Sequence, residues 1–131
     1  MHLRCLPLLA LFIFACSKED SVTPGELLGT WRLTSVYLDP GDGSGTFQPA
    51  DYAREFTFFA DSTYLTSRDI CTLSASGSGG GEGRYSPDRR VIFPTHCRIL
   101  AEYLYTIEGR ELAIAYRCIE GCAERYVKIG D

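Results

Sequence analysis

The sequence predicts an all-β fold: an eight-stranded up-and-down antiparallel barrel, entered through a short N-terminal helical turn. Three observations predict it. Eight Tyr, seven Phe and one Trp stand among 13 Gly in 131 residues, a mixture that suits short strands joined by turns. Eight strand-like stretches follow one another, separated by clusters of turn residues. No segment of helical length carries a 3.6-residue hydrophobic period, and no unit repeats at a fixed spacing. Closing such a meander into a barrel removes its exposed edges.

The chain opens with an address rather than a fold element. Met1-His2-Leu3-Arg4 is a short basic start, and Leu6 to Phe14 is an apolar run broken only by Pro7. That run is too short to span a bilayer, which needs about 20 residues, and has the length of a secretory core. Ile13-Phe14-Ala15-Cys16 resembles the lipobox of bacterial lipoproteins, with an aliphatic residue at −3, a small one at −1 and Cys at +1. The resemblance implies cleavage before Cys16, lipidation of Cys16 with palmitate-like chains, and anchorage in a bilayer. The expected organisation is a signal peptide over 1–15, a lipidated Cys and flexible tether over 16–25, and one barrel domain over 26–131. Ser17-Lys18-Glu19-Asp20 reads as the start of a solvated spacer. The expected location is the cell envelope, tethered to the outer membrane at its surface or periplasmic face.

Thr23-Pro24-Gly25-Glu26 fits a capping box with Pro at the first helical position. Leu27-Leu28 would be the buried side of one helical turn, ended by Gly29. Strands are expected at 30–38, 54–60, 62–69, 83–86, 90–95, 102–107, 111–118 and 123–129. The turns at 60–62, 86–88, 108–110 and 119–121 each carry turn-forming residues. The stretches 39–53 and 70–82, rich in Gly and Ser, read as the long loops. Alternation proposes an inward face of Trp31, Leu33, Tyr37, Phe56, Phe58, Leu65, Tyr85, Val91, Phe93, Tyr103, Tyr105, Leu112, Ile114 and Val127. A slip of one residue in any strand inverts its faces.

Leu27-Leu28-Gly29-Thr30-Trp31 resembles the opening of a lipocalin, a calycin-type barrel, with Gly-x-Trp beginning the first strand. Glu124 to Ile129 is similar to the last strand of small bacterial lipocalin-like domains. The resemblance implies that Trp31 plugs the closed end, with Arg125 packed over it. It also implies that alternate strands end at one mouth, which gathers Cys71, Cys97, Cys118 and Cys122 at a single rim. An even set of cysteines in an exported chain reads first as disulfides, and four allow three pairings. Cys118 and Cys122 face each other across a hairpin, which leaves Cys71 with Cys97. A metal site joining His96 to the thiols is the rival reading, disfavoured by the Cys-x-x-x-Cys spacing and by export.

The chain carries 13 Lys+Arg and 17 Asp+Glu; Arg4 lies in the signal, so 12 stand against 17 beyond it, a net charge of −5. This argues against nucleic acid, whose backbone needs a basic face. Beyond residue 15 the one histidine is His96, between Thr95 and Cys97. No Ser is followed three places on by Lys, and the Gly-rich stretch 77–83 lacks the Lys-Ser/Thr of a phosphate loop. Asp39 to Ser44 lacks the alternate oxygens and closing Glu of a calcium loop. No catalytic residue, cofactor or resident metal is expected; the chain is not expected to be an enzyme, and it is expected to be a monomer. The leading expectation is an envelope lipoprotein whose barrel binds a small apolar or amphipathic molecule, lined by Tyr37, Phe58, Tyr103 and Tyr105. The alternative is a filled barrel acting through its rim loops as a protein- or glycan-interaction module.

Overall fold

The computed structural model describes residues 25–71, 79–98 and 101–131. Its strands are β1 (Gly29–Leu38), β2 (Thr46–Pro49), β3 (Glu55–Phe58), β4 (Thr63–Thr66), β5 (Gly81–Ser86), β6 (Val91–Pro94), β7 (Tyr103–Glu108), β8 (Glu111–Tyr116) and β9 (Cys122–Gly130). All pairings are antiparallel. From β3 to β9 each strand pairs with the next in sequence, and β1 closes the sheet by pairing with β3 on one side and β9 on the other. The result is a closed eight-stranded barrel with one extra strand, β2.

The extra strand is a departure from expectation, because 39–53 reads as loop. β9 runs along the whole of one side of β1, from Thr30↔Gly130 to Leu38↔Cys122. The other side is shared: β3 pairs with Gly29 to Arg32, and β2 pairs with Ser35 to Leu38. Bonds from Leu33 N to Arg54 O and from Ala50 N to Thr34 O carry the ladder between them. β2 and β3 therefore make one partner strand interrupted at 50–54, and β2 extends the barrel wall into a lip on one side of the mouth.

The start of the chain also differs. Thr23 and Pro24 of the expected capping box lie outside the described residues, as does the whole segment 1–24. Residues 25–27 form a turn and bends, with no helix among the described residues. Leu27 is nonetheless buried, and its carbonyl accepts the Trp31 Nε1–H at 2.8 Å. That bond satisfies the indole donor inside the plugged end. Gly29 has φ +104°, and a Cβ there would come within 2.3 Å of Gly130 O, so only glycine admits this close approach of β1 to β9.

Alternation holds for most of the inward set and fails in four places. A β-bulge lies between Leu33 and Ser35. One extra residue reverses parity, so Val36 packs against the core and Tyr37 turns to the outer face of the lip, its ring 5.4 Å from Phe47. In β4, Tyr64 and Thr66 face inward and Leu65 is 50% exposed. In β6, Ile92 is fully buried and Phe93 lies on the outer face under the Arg89 guanidinium. In β9, Tyr126 and Glu124 are fully buried and Val127 is outside. In each strand two apolar side chains stand next to each other, so hydrophobicity alone does not choose the face.

The closed half of the interior is a packed aromatic core. Phe56 stacks on Phe58 at 5.3 Å, meets Tyr126 edge-on at 5.2 Å, and Phe58 meets Tyr85 edge-on at 5.3 Å. Each such pair adds about 0.5–1.5 kcal/mol beyond its buried area. Arg125 does not pack over Trp31. Its neighbours Glu124 and Tyr126 point inward, so Arg125 points outward, its guanidinium 3.7 Å from the centre of the Phe47 ring. Lys128, which shares the inward parity and pairs with Trp31, takes that place, with Nζ 5.9 Å from the indole centre.

Candidate functional site at the barrel mouth

The mouth half of the interior holds charge rather than rings alone. Arg54 precedes β3 and shares the inward parity of Phe56 and Phe58, while Glu124 shares that of Cys122 and Tyr126 on β9. Both side chains are fully buried, and Arg54 Nη1 meets Glu124 Oε1 at 2.5 Å. The Tyr52 hydroxyl donates to the same oxygen at 2.6 Å. The Tyr116 hydroxyl donates to Oε2 at 2.5 Å, and the Tyr126 hydroxyl donates to Oε2 as well. Four donors thus saturate one carboxylate, the condition under which a buried charge is tolerated.

The hydroxyls respond to this setting. Burial first pushes the Tyr52, Tyr116 and Tyr126 hydroxyls well above the ordinary tyrosine range, reinforced by the bond and charge of Glu124 and, at Tyr116, by the neighbouring Tyr126. Burial works against the charge on Arg54, but the adjoining Glu124 outweighs it and holds the guanidinium more firmly protonated than usual. A carboxylate with every lone pair engaged is poorly placed to abstract a proton or attack a substrate. The cluster works as a clamp. Arg54 Nη2 donates to the Asp69 carbonyl at 2.8 Å, tying the β4–β5 connection to the barrel interior.

All four described cysteines lie at the mouth end, three on the connections that follow β4, β6 and β8 and Cys122 at the start of β9. The bridges are Cys71–Cys97, with Cα atoms 5.3 Å apart, and Cys118–Cys122, with Cα atoms 5.9 Å apart. The lip loop is stiffened locally. Asp39 Oδ1 accepts the Gly41 and Gly43 N–H groups at 2.7 and 3.1 Å, and its Oδ2 accepts the Tyr37 hydroxyl. These bonds, led by that of Gly41, hold the Asp39 carboxyl below its usual range. The Asp39 N–H donates to Gly121 O, which joins the lip to the β8–β9 hairpin.

The open cavities on the outer surface include two bordered by described residues. One of about 340 Å³ is lined by Leu38, Asp39, Ile119, Glu120 and the Cys118–Cys122 bridge. Ile119 at the hairpin tip is fully exposed, and Leu38 beside it is 60% exposed. The other, about 560 Å³, lies against β4 and β5 beside Phe59, Leu65 and Glu82.

Of the expected cavity residues, Phe58, Tyr103 and Tyr105 are buried inside, whereas Tyr37 is on the outer face of the lip. Phe58 is consumed in the aromatic core, and Tyr103 packs on Tyr116 at 4.6 Å. His96 lies at the rim with Nε2 3.4 Å from Glu82. Cys16 lies outside the described residues. The Arg54–Glu124 clamp is the feature that sequence reading missed. The signal was present in Arg-x-Phe-x-Phe over 54–58 and in the alternation of Glu124 with Tyr126, but charged residues at inward parity are ordinarily assigned to solvent.

Fold and mouth together define a closed antiparallel β-barrel with a disulfide-pinned rim, an architecture compatible with a lipocalin-like fold. No protein-family model matches the chain, and no curated protein or solved structure matches it either.

Proposed function

We propose that this protein is an envelope lipoprotein that acts as a protein-interaction module through its rim. The observation that carries this reading is the contrast, among the described residues, between a barrel interior occupied by rings and a buried ion pair and a structured, partly apolar mouth edge. Trp31, Phe56, Phe58, Tyr64 and Tyr126 occupy the closed half, and the Arg54–Glu124 clamp occupies the mouth half. An apolar ligand entering there would meet a buried ion pair. At the edge, exposed Leu38 and Ile119 flank a groove bordered by Asp39 and Glu120. That combination suits a partner protein with an apolar anchor and a basic neighbour. A glycan is less well served: Tyr37 and Phe47 pack on each other, with Arg125 over Phe47, and offer no open platform for a sugar ring.

The orientation of the chain supports the same reading. The described chain enters at the closed end, where Leu27 O accepts the Trp31 indole N–H, and the rim lies at the opposite end. A tether from Cys16 would present the rim away from the membrane. A photo-crosslinking residue placed at Ile119 is expected to capture a defined envelope partner, and one placed at Glu108 on the closed-end hairpin is expected to capture none. Ile119→Asp should abolish the capture while leaving the fold intact. Equal capture from both positions, or capture insensitive to Ile119→Asp, would remove this reading.

The small-molecule reading retains one observation. The Tyr64 and Tyr105 hydroxyls are buried without a hydrogen-bond partner among the described residues, and polar ligand atoms would satisfy them. Extraction of a stoichiometric bound molecule from gently purified protein would favour it.

A further inference from the structure

We propose that Asp69, Cys71 and Cys97 form a zinc-type metal site when the Cys71–Cys97 disulfide is reduced. The three residues offer two sulfurs and a carboxylate oxygen that all lie within 4.8 Å of one another, and each residue is half-buried. This is the one such group of donors among the described residues. Two thiolates and a carboxylate suit a borderline-soft divalent ion with tetrahedral preference, and three protein ligands leave a fourth position for water.

The donors are held in place by bonds that do not involve sulfur. The Asp69 N–H donates to Gly79 O at 2.9 Å, and Asp69 Oδ1 accepts the Cys71 N–H at 3.0 Å. The Asp69 carbonyl accepts from Arg54 Nη2, and Arg54 is fixed by Glu124 inside the barrel. Cys97 follows β6, whose ladder with β5 runs through Gly83↔Pro94, and the Thr95 N–H donates to Glu82 O at 3.1 Å. Opening the disulfide therefore leaves Cys71 and Cys97 on two restrained segments, close enough to share an ion.

The chemistry balances with a dithiol as reductant. The S–S bond takes two electrons and two protons and becomes two thiols, and the dithiol is oxidised to its own disulfide. Metal binding then releases the two thiol protons to water and forms two metal–sulfur bonds and one metal–oxygen bond to Asp69. Thiol–disulfide exchange with a small disulfide, which takes the two electrons and is reduced to its dithiol, re-forms the Cys71–Cys97 bond and expels the ion. The β4–β5 connection would then have two covalently distinct states, bridged or metal-bound.

The test is titration of the full chain with Co²⁺ and then Zn²⁺, before and after reduction by a dithiol. The reduced protein is expected to bind one ion with a thiolate-to-cobalt charge-transfer band, and the oxidised protein none. Cys71→Ser with Cys97→Ser should abolish the band. Asp69→Asn should weaken binding by at least about tenfold, the loss that even an outer-shell partner brings. Cys118→Ser with Cys122→Ser should leave binding unchanged. Binding by the reduced protein no tighter than by the Cys71→Ser, Cys97→Ser variant would overturn the proposal. So would loss of the band on removing Cys118 and Cys122, or loss of the near-ultraviolet signal of Trp31 on reduction, because the site requires the folded loop.

Discussion

Glu124 shows how much one side chain can impose on its surroundings. Its carboxylate is buried where no water competes, so three tyrosines and an arginine converge on it. Removing the arginine would strand the charge. Arg54→Met is expected to cost about 3–5 kcal/mol in urea unfolding. Adding Glu124→Leu to that variant should recover part of the loss, since an uncompensated charge costs more than an apolar pair. The tyrosines supply a second expectation. Their neutral forms are favoured by the fold: burial pushes Tyr105 up to about 12 and moves Tyr52, Tyr64, Tyr116 and Tyr126 upward as well. In the unfolded chain these hydroxyls ionise near the ordinary value of about 10. The stability they contribute is therefore complete below that pH and is lost as pH rises through 10 toward and past 12. Tyrosinate absorbance should rise late and together with loss of structure; early titration of all eight tyrosines in a still-folded protein would contradict the burial.

Single strands are where sequence and structure part company. The number and order of the eight barrel strands could be read from turn residues, because Ala60-Asp61-Ser62 and Glu108-Gly109-Arg110 interrupt apolar runs with residues that turn cheaply. Facing could not be read where two apolar neighbours compete, as at Tyr64 and Leu65, or where a bulge shifts parity, as at Thr34. β2 was hidden because Thr46–Pro49 is short and follows a Gly-rich run; its pairing depends on the free flank of β1, a tertiary fact. Tyr64→Ala and Leu65→Ala test the β4 assignment. The first should cost about 3–5 kcal/mol, as for a buried aromatic, and the second less than about 1 kcal/mol, by denaturant unfolding. The disulfides differ in the chain they close. The Cys71–Cys97 bridge spans 26 residues and Cys118–Cys122 spans four. Loop-closure entropy assigns about 3.5 kcal/mol to the first and about 2 kcal/mol to the second. Paired Cys→Ser replacements, compared by unfolding midpoint, should rank in that order. A larger loss at 118–122 would mean that the hairpin bridge acts through native contacts rather than through the unfolded chain.

At the scale of the molecule, the function proposed above would have the barrel separate attachment from recognition. On the proposed reading residues 1–16 are the address and the four rim cysteines mark the working end; the topology puts the described N-terminus and the rim at opposite ends. Cys16→Ser is expected to abolish acylation, lowering the mass by the acyl chains and releasing the protein from the membrane fraction. An unchanged mass and fractionation would sink the lipoprotein reading while leaving the barrel untouched. The clamp, by contrast, was invisible at this scale, because only closure of the sheet brings residues 54 and 124 together.

The seam between β1 and β9 also sets an order of events in time. The first strand finds its longest partner about a hundred residues later, from Thr30↔Gly130 to Leu38↔Cys122. Contacts of such large sequence separation form slowly, since the intervening chain must be ordered or looped before they can. Until residues 122–130 have emerged, β1 has an unfilled hydrogen-bonding edge, Trp31 lacks Lys128, and Arg54 lacks its counter-charge. The β1–β9 seam, and with it the Arg54–Glu124 clamp, is therefore expected to close last, after the local hairpins from β3 to β8.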